Sequence, residues 1–358
     1  MKILDWYILR KFISTFIFTV LILMAVIIVI DTTEKIENFR NPILTFRRIF
    51  MEYYVNFVPS VAVMISPLMI FIATVFVTSH LTTHTEIVAM LSSGISLIRI
   101  MRPYLLGATL IAAVIFGFKG WVIPHADKIR GDFEDNYVRG KFYFKQLNFH
   151  TKLSPNLYAY MERYDNTINT GYKFTLERID GLELKQKLET QRIMWDSTKR
   201  KWHLDQFKVR VLEAGKEKVS YFPERDTVLS MNPKDFESKV EYHQRLNNTE
   251  LDAYIKEQQL RGGDNVERFI VEKYERYAYP FCVIILTAIG VIVSARKSRG
   301  GTGFQIALGF VLAFLYIGLV IVSRGFAEKG GLPTYLAVWL PNILFGLLGV
   351  FMYYRVPK

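Results

Sequence analysis

The side chains able to do chemistry in this chain are few, and their spacing suits contact better than catalysis. The six histidines, His80, His84, His125, His150, His203 and His243, include no His-Glu-x-x-His pair or other ligand spacing. His80 and His84 can share one helix face, but no carboxylate or thiol pair accompanies them, so they read as a polar face and no metal is expected. No Gly-x-x-x-x-Gly-Lys-Ser/Thr loop occurs. The glycine-rich stretch Arg299–Gly303 follows an apolar run and lacks the strand and lysine of a nucleotide site, so it reads as a tight turn. No serine has a nucleophile-elbow context. The single cysteine, Cys282, lies inside an apolar run and excludes an internal disulfide. The chain is therefore expected to catalyse nothing by itself and to carry no cofactor of its own.

Two groups of residues read as binding elements. In residues 79–99, SHLTTHTEIVAMLSSGISLIR, Thr82 or Thr83 can cap a short helix, Ile87, Met90 and Leu91 recur at helical spacing, and Gly94 ends the run. Glu86 is the lone acid there and lies near the positive end of the helix. That is the form of a helix that docks in a partner's groove; an interfacial connector whose acid only favours the helix dipole fits the periodicity equally well. The second group is Lys35 and Arg40, followed by Arg47 and Arg48. Lys35 lies about 7.5 Å beyond the preceding apolar run at 1.5 Å per residue, where a cation can meet the phosphate of an anionic lipid. Asp31, Glu34, Glu37 and Glu52 could equally balance these charges.

The elements that must hold these residues are six long, almost uncharged runs: Phe12–Ile30, Val55–Ser79, Pro103–Phe118, Tyr277–Ala295, Gly300–Ser323 and Gly330–Tyr354. Each is near the roughly 20 residues a helix needs to cross about 30 Å of hydrocarbon. Lys119 alone interrupts the third run before Gly120–Pro124, and its ammonium can snorkel to the interface. The first run is too long for a cleaved leader and lacks a small-x-small site, so it reads as an uncleaved span. Residues 1–11, with Trp6 and Tyr7 among Lys2, Arg10 and Lys11, suit a short helix in the headgroup layer. Asn56, Gln305, Arg324 and Asn342 lie in or at the edges of spans, with Gly300, Gly301, Gly303, Gly309, Gly346 and Gly349 available for close helix packing.

The net charge of +12 invites a nucleic-acid reading, which its distribution excludes. With the N-terminus inside, the inner segments hold Lys2, Arg10, Lys11, Arg99, Arg102, Arg296, Lys297, Arg299, Arg355 and Lys358 against only Asp5 and Glu86. Both termini are therefore expected in the cytoplasm. Between the third and fourth spans the period changes to alternation, in Lys141–Phe149, Asn156–Arg163, Tyr172–Ile179, Arg192–Trp195, Lys201–Val211 and Val219–Phe222. Turn residues at Ser154-Pro155-Asn156, Asp165-Asn166, Asp180-Gly181 and Ala214-Gly215 punctuate it, which predicts an antiparallel sandwich of short strands. Residues 249–261 return to helical period before Gly262-Gly263, and a helix from about Val266 runs into the fourth span. The expected domains are 1–124, with three spans and the docking helix near 80–94; 125–265, the exported β domain with its helical linker; and 266–358, the last three spans. The two three-span halves show no repeat, which argues against a repeat-built secondary transporter.

This combination resembles the lipopolysaccharide export permease family LptF/LptG (YjgP/YjgQ). The resemblance is carried by Leu4–Phe12 (LDWYILRKF), by Glu86–Ser96 (EIVAMLSSGIS) after span two, and by 249–280 (TELDAYIKEQQLRGGDNVERFIVEKYERYAYP). Arg296–Gly309 and Trp339-Leu-Pro-Asn342 add to it. It implies a six-helix membrane protein with an inserted periplasmic β-jellyroll in the inner membrane of a Gram-negative bacterium. Two such chains would pair around a cavity and bind two copies of a cytoplasmic LptB-like ATPase, which holds ATP and Mg. Glu86, Ile87, Met90, Leu91 and Gly94 would form the docking contact. Lipopolysaccharide would enter between spans one and five of opposite subunits, meet Lys35 and Arg40, and pass to the jellyroll and a bridge of LptC/LptA-like jellyrolls. Phe142, Phe144, Leu157, Tyr158, Phe174 and Leu176 are the positions expected to include acyl-chain contacts. A membrane-anchored periplasmic sensor or scaffold without transport is the alternative, although six spans exceed what an anchor needs.

Overall fold

The computed structural model describes residues 3–138, 147–213, 216–236, 242–261, 266–295 and 301–355. The chain divides into two compact units, one of residues 1–138, 244–248 and 267–358, the other of 139–243 and 249–266.

The first unit is helical. α1 (Ile3–Glu34) contains neither Gly nor Pro and runs unbroken for 32 residues. The stretch expected to form a separate helix in the headgroup layer is therefore its first turns. Short α2 (Ile36–Phe39) and α3 (Phe46–Arg48) lead through a π-helical segment, Ile49–Tyr54, into α4 (Val55–Thr83). α5 (Glu86–Ser92) precedes α6 (Leu97–Gly117), a second π segment (Phe118–Val122) and α7 (Ile123–Tyr137). Residues 125–137, assigned from sequence to the β domain, are thus a helical continuation of span three; Phe133 and Ala126 are buried on one side of it. α8 (Asn248–Arg261) belongs, but for its first residue, to the second unit, and α9 (Val266–Ser294), α10 (Gly301–Glu328) and α11 (Thr334–Arg355) complete the first. Among the described residues, six helical stretches are long and apolar enough to cross a membrane.

Phe12, Ile70, Phe71, Ile87, Ile100, Tyr104, Leu286 and Ile289 form the centre of this unit. A Cβ at Gly309 would lie 2.5 Å from Phe71 Cε1, so only glycine lets α10 approach α4 this closely. Gly349 packs on Ile289, while Gly303 and Gly346 face open space. Of the polar residues read inside spans, Gln305 and Asn342 are satisfied across helices and Asn56 within its own. Gln305 bonds Ser79, Asn342 joins the Tyr316 hydroxyl at 2.9 Å to the Ala278 carbonyl at 2.9 Å, and Asn56 donates to the carbonyls of Met51 and Glu52.

The second unit is an antiparallel sheet inserted between spans three and four. Its strands are β1 (Phe149–Ser154), β2 (Leu157–Met161), β3 (Arg163–Asp165), β4 (Thr170–Asp180), β5 (Glu183–Asp196), β6 (Lys201–Glu213) and β7 (Lys216–Thr227). The order is β1-β2-β4-β5-β6-β7, with β3 on β4, and all pairs are antiparallel. The inserted all-β element is as expected, but β4 to β7 are 11 to 14 residues long and not short. The reason is a change of phase. The buried positions are Phe207 on one side and Leu204 and Trp202 on the other side of Gln206, and likewise Phe174 and Gly171 across Lys173. Lys173 (φ 48°) and Gln206 (φ 40°) take the left-handed conformation that re-aims the chain at this step. A strict period of two therefore breaks in mid-strand. The Trp202 indole donates to the Met231 carbonyl at 2.9 Å, and Phe236 stacks on Tyr164, so residues from 231 to 236 cover this core.

Candidate functional site

The turn between α4 and α5 is made by Thr85 at φ 62°, a costly conformation for a β-branched residue, and it separates two helices that would otherwise run on. α5 ends in a Schellman motif: Gly94, at φ 84°, donates to the Leu91 carbonyl at 3.0 Å and Ile95 donates to that of Met90 at 3.1 Å. Gly94 thus has the terminating role read from the sequence. Ile87 is fully buried in the helical core, and Met90 and Leu91 pack partly against it. These three apolar residues anchor α5 to its own bundle. The surface it presents outward is Val88 (42% exposed), Ala89, Ser92 and Ser93, beside the half-buried Glu86. Helical spacing finds the apolar stripe but does not tell a bundle from a partner as the thing it packs on, and Val88 and Ala89 were missed for that reason.

Glu86 is held from α1. The Tyr7 hydroxyl donates to its two carboxylate oxygens at 3.1 and 3.3 Å, and the Lys11 ammonium donates to the Tyr7 oxygen. Two residues before Tyr7, the buried Asp5 accepts both Arg99 NH groups at 2.6 and 2.9 Å. The i,i+4 spacing of Tyr7 and Lys11 was the only sequence signal for this arrangement.

At the far end of α1 the polar residues form a different kind of cluster. The Lys35 ammonium donates to Asp31 at 2.7 Å, contacts the Tyr53 hydroxyl and lies 3.9 Å from Glu134. Tyr53 donates to Asp31 at 2.9 Å, and Arg130 approaches Glu134 at 3.7 Å and Asp127 at 3.3 Å. Asp31 and Glu134 are buried. Arg40, at the end of α2, is exposed, and Arg48 bonds the exposed Glu52 at 2.9 and 3.0 Å.

A second, largely half-buried network joins spans three, four and five; of its residues the sequence singled out only Arg324 and Lys119, whose ammonium pairs with Glu275 within the chain. Arg324 reaches Glu275 and Glu328 at 2.8 Å each, and Lys119 reaches Glu275 at 3.3 Å. Arg276 is 2% exposed and donates to Glu272 at 3.1 Å, to the Leu246 carbonyl at 2.8 Å and to Asn248 at 3.1 Å.

A family model, Lipopolysaccharide export system permease LptF/LptG, matches residues 6–355. The chain belongs to that family. No curated protein matches it. The LptF/LptG assignment makes it a permease component of lipopolysaccharide export and a multi-pass inner-membrane protein.

The permease's expected lipid-contacting positions fall in different settings. Phe142 and Phe144 lie outside the described residues. Phe174 is buried in the sheet core and Leu176 packs against it, Leu157 is half-buried, and Tyr158 is exposed. On the same sheet the Lys199 ammonium, with His203 second, holds the Asp226 carboxyl below its ordinary value of 3.8, at about 2.

Proposed function

We propose that this permease is the membrane subunit of an ATP-driven exporter that lifts lipopolysaccharide from the inner membrane and hands it to a periplasmic bridge. In this reading the α5 end faces the cytoplasm and the sheet faces the periplasm, as the basic residues at the α5 end favour. Two LptF/LptG-type chains pair around the lipid path. Two copies of an LptB-like ATPase, which bind ATP and Mg, dock on α5.

The observation that carries it is α5 itself, seven residues between two spans, fixed by Ile87 inside and offering Glu86, Val88 and Ala89 outside. A carboxylate beside a small apolar patch suits a groove lined by a cation and apolar side chains. The sheet supports delivery to a bridge of similar jellyrolls. Among the described residues no strand covers the outer side of β7, which is 12 residues long and exposes Val219, Tyr221 and Phe222, a template for strand addition.

The test is purification of the tagged chain from membranes, then reconstitution. The expected result is a co-purifying ATPase, a second six-span chain, and ATP-dependent release of lipopolysaccharide from vesicles. A chain that purifies alone and leaves lipopolysaccharide in place with ATP would favour the sensor or scaffold reading.

A further inference from the structure

Glu86 is the side chain that the docking reading needs most, and its orientation is set by a residue from another helix. Tyr7 stands 79 positions earlier and donates to both carboxylate oxygens, at 3.1 and 3.3 Å. Its ring lies 4.4 Å from the Lys11 ammonium, which also donates to the tyrosine oxygen. A hydroxyl that accepts from a cation becomes a better donor to an anion, so the two bonds reinforce each other.

The helix that carries Tyr7 is itself fixed. Ile8 and Phe12 are buried in the same cluster as Ile87, Leu97, Ile100 and Tyr104. The Asp5–Arg99 pair then ties α1 to the start of α6, the element just after α5. The first turns of α1 therefore brace α5 on both flanks, Tyr7 at its first residue and Asp5 beyond its last. A glutamate on a seven-residue surface helix would otherwise sample several rotamers. Tyrosine has only two side-chain torsions to order, and it donates without neutralising the carboxylate. The remaining lone pairs of Glu86 stay available to an incoming guanidinium or ammonium.

We propose that Tyr7 is a positioning residue for docking: it pre-orients the Glu86 carboxylate for the cationic groove of the nucleotide-hydrolysing partner, with Lys11 strengthening its hydroxyl as a donor. The proposal rests on the docking reading above. Its test uses the full chain in detergent with the ATPase that co-purifies with it, and measures the partner's dissociation constant and the chain's thermal midpoint for four variants. Tyr7→Phe is expected to weaken partner binding about tenfold at an unchanged midpoint, because pre-organisation is lost and no buried contact is removed. Lys11→Met is expected to weaken it about threefold. Glu86→Ala should weaken it more than either, and Tyr7→Phe added to Glu86→Ala should have no further effect, since Tyr7 would then have nothing to orient. Wild-type affinity in Tyr7→Phe, or full additivity with Glu86→Ala, overturns the positioning role and leaves the docking reading standing. Wild-type affinity in Glu86→Ala overturns both.

Discussion

Glu86, beside the start of α1, and Lys35, at its far end, handle charge in opposite ways. At the start, Glu86 is half-buried and held by one neutral hydroxyl, so its charge is oriented but not cancelled. At the far end, Lys35 is enclosed by Asp31, Tyr53 and Glu134, and its charge is consumed within the chain. The Arg276 and Arg324 networks belong to the second type. A buried charge must find its counter-charge inside, because the desolvation cost is met only by close, fully bonded partners. A charge meant for a partner has to stay solvated until that partner arrives. The lesson is that a counter-charge within bonding distance, more than residue type or loop position, separates the structural cations of this permease from Glu86, its candidate contact residue.

The comparison is broken most sharply at Arg276. Arg276→Met should lower the stability of the detergent-solubilised chain by about 3–5 kcal/mol in denaturant or thermal unfolding, since it strands Glu272 and the Leu246 carbonyl. A near-silent variant would mean that the network is looser than its geometry. Lys35→Glu comes next, because it sets a third acid against Asp31 and Glu134. A loss of about 2 kcal/mol or more is expected without any lipid present, with Arg47→Glu and Arg48→Glu within about 0.5 kcal/mol of the parent. Unchanged stability together with lost lipopolysaccharide-stimulated ATPase activity would return Lys35 to direct headgroup contact, and the exposed Arg40 would then share that role.

Glu86→Ala sharpens the contrast from the other side. Its effect on stability should stay below about 1 kcal/mol, while co-purification of the ATPase falls steeply. The smallest effect is expected on the sheet, where Asp226 is an exposed counterpart to the buried acids. Its folded-state pKa is depressed to about 2, so the stability it contributes is full above its ordinary 3.8 and is lost as pH falls through about 2. Asp226→Asn should therefore lower stability by a small, constant amount above about pH 4 and converge on the parent as pH falls through about 2, which flattens the acid limb of an unfolding-versus-pH curve over that window. A large loss at pH 7 would show that the Lys199–Asp226 contact is more than a surface pair.

Much of this could be read from residues alone. Length and hydropathy determined the six spans, because about 20 apolar residues cross a bilayer whatever they pack against. Alternation and turn residues determined the inserted antiparallel sheet, and Gly94 determined where α5 ends, but not where it starts: Thr82 and Thr83, read as its cap, close α4 with hydroxyls bonded back to the Thr78 and Ser79 carbonyls, and α5 begins only after Thr85. What only the tertiary structure decided is which partner each side chain meets. Ile87 faces its own bundle while Val88 faces outward. Lys35 is enclosed by residues up to 99 positions away. Gln305 pairs with Ser79 across 226 residues, and the sheet changes phase at Lys173 and Gln206. Periodicity reports a face and hydropathy reports a depth; neither carries the three-dimensional neighbour that decides whether a polar group is satisfied within the chain or left for a partner.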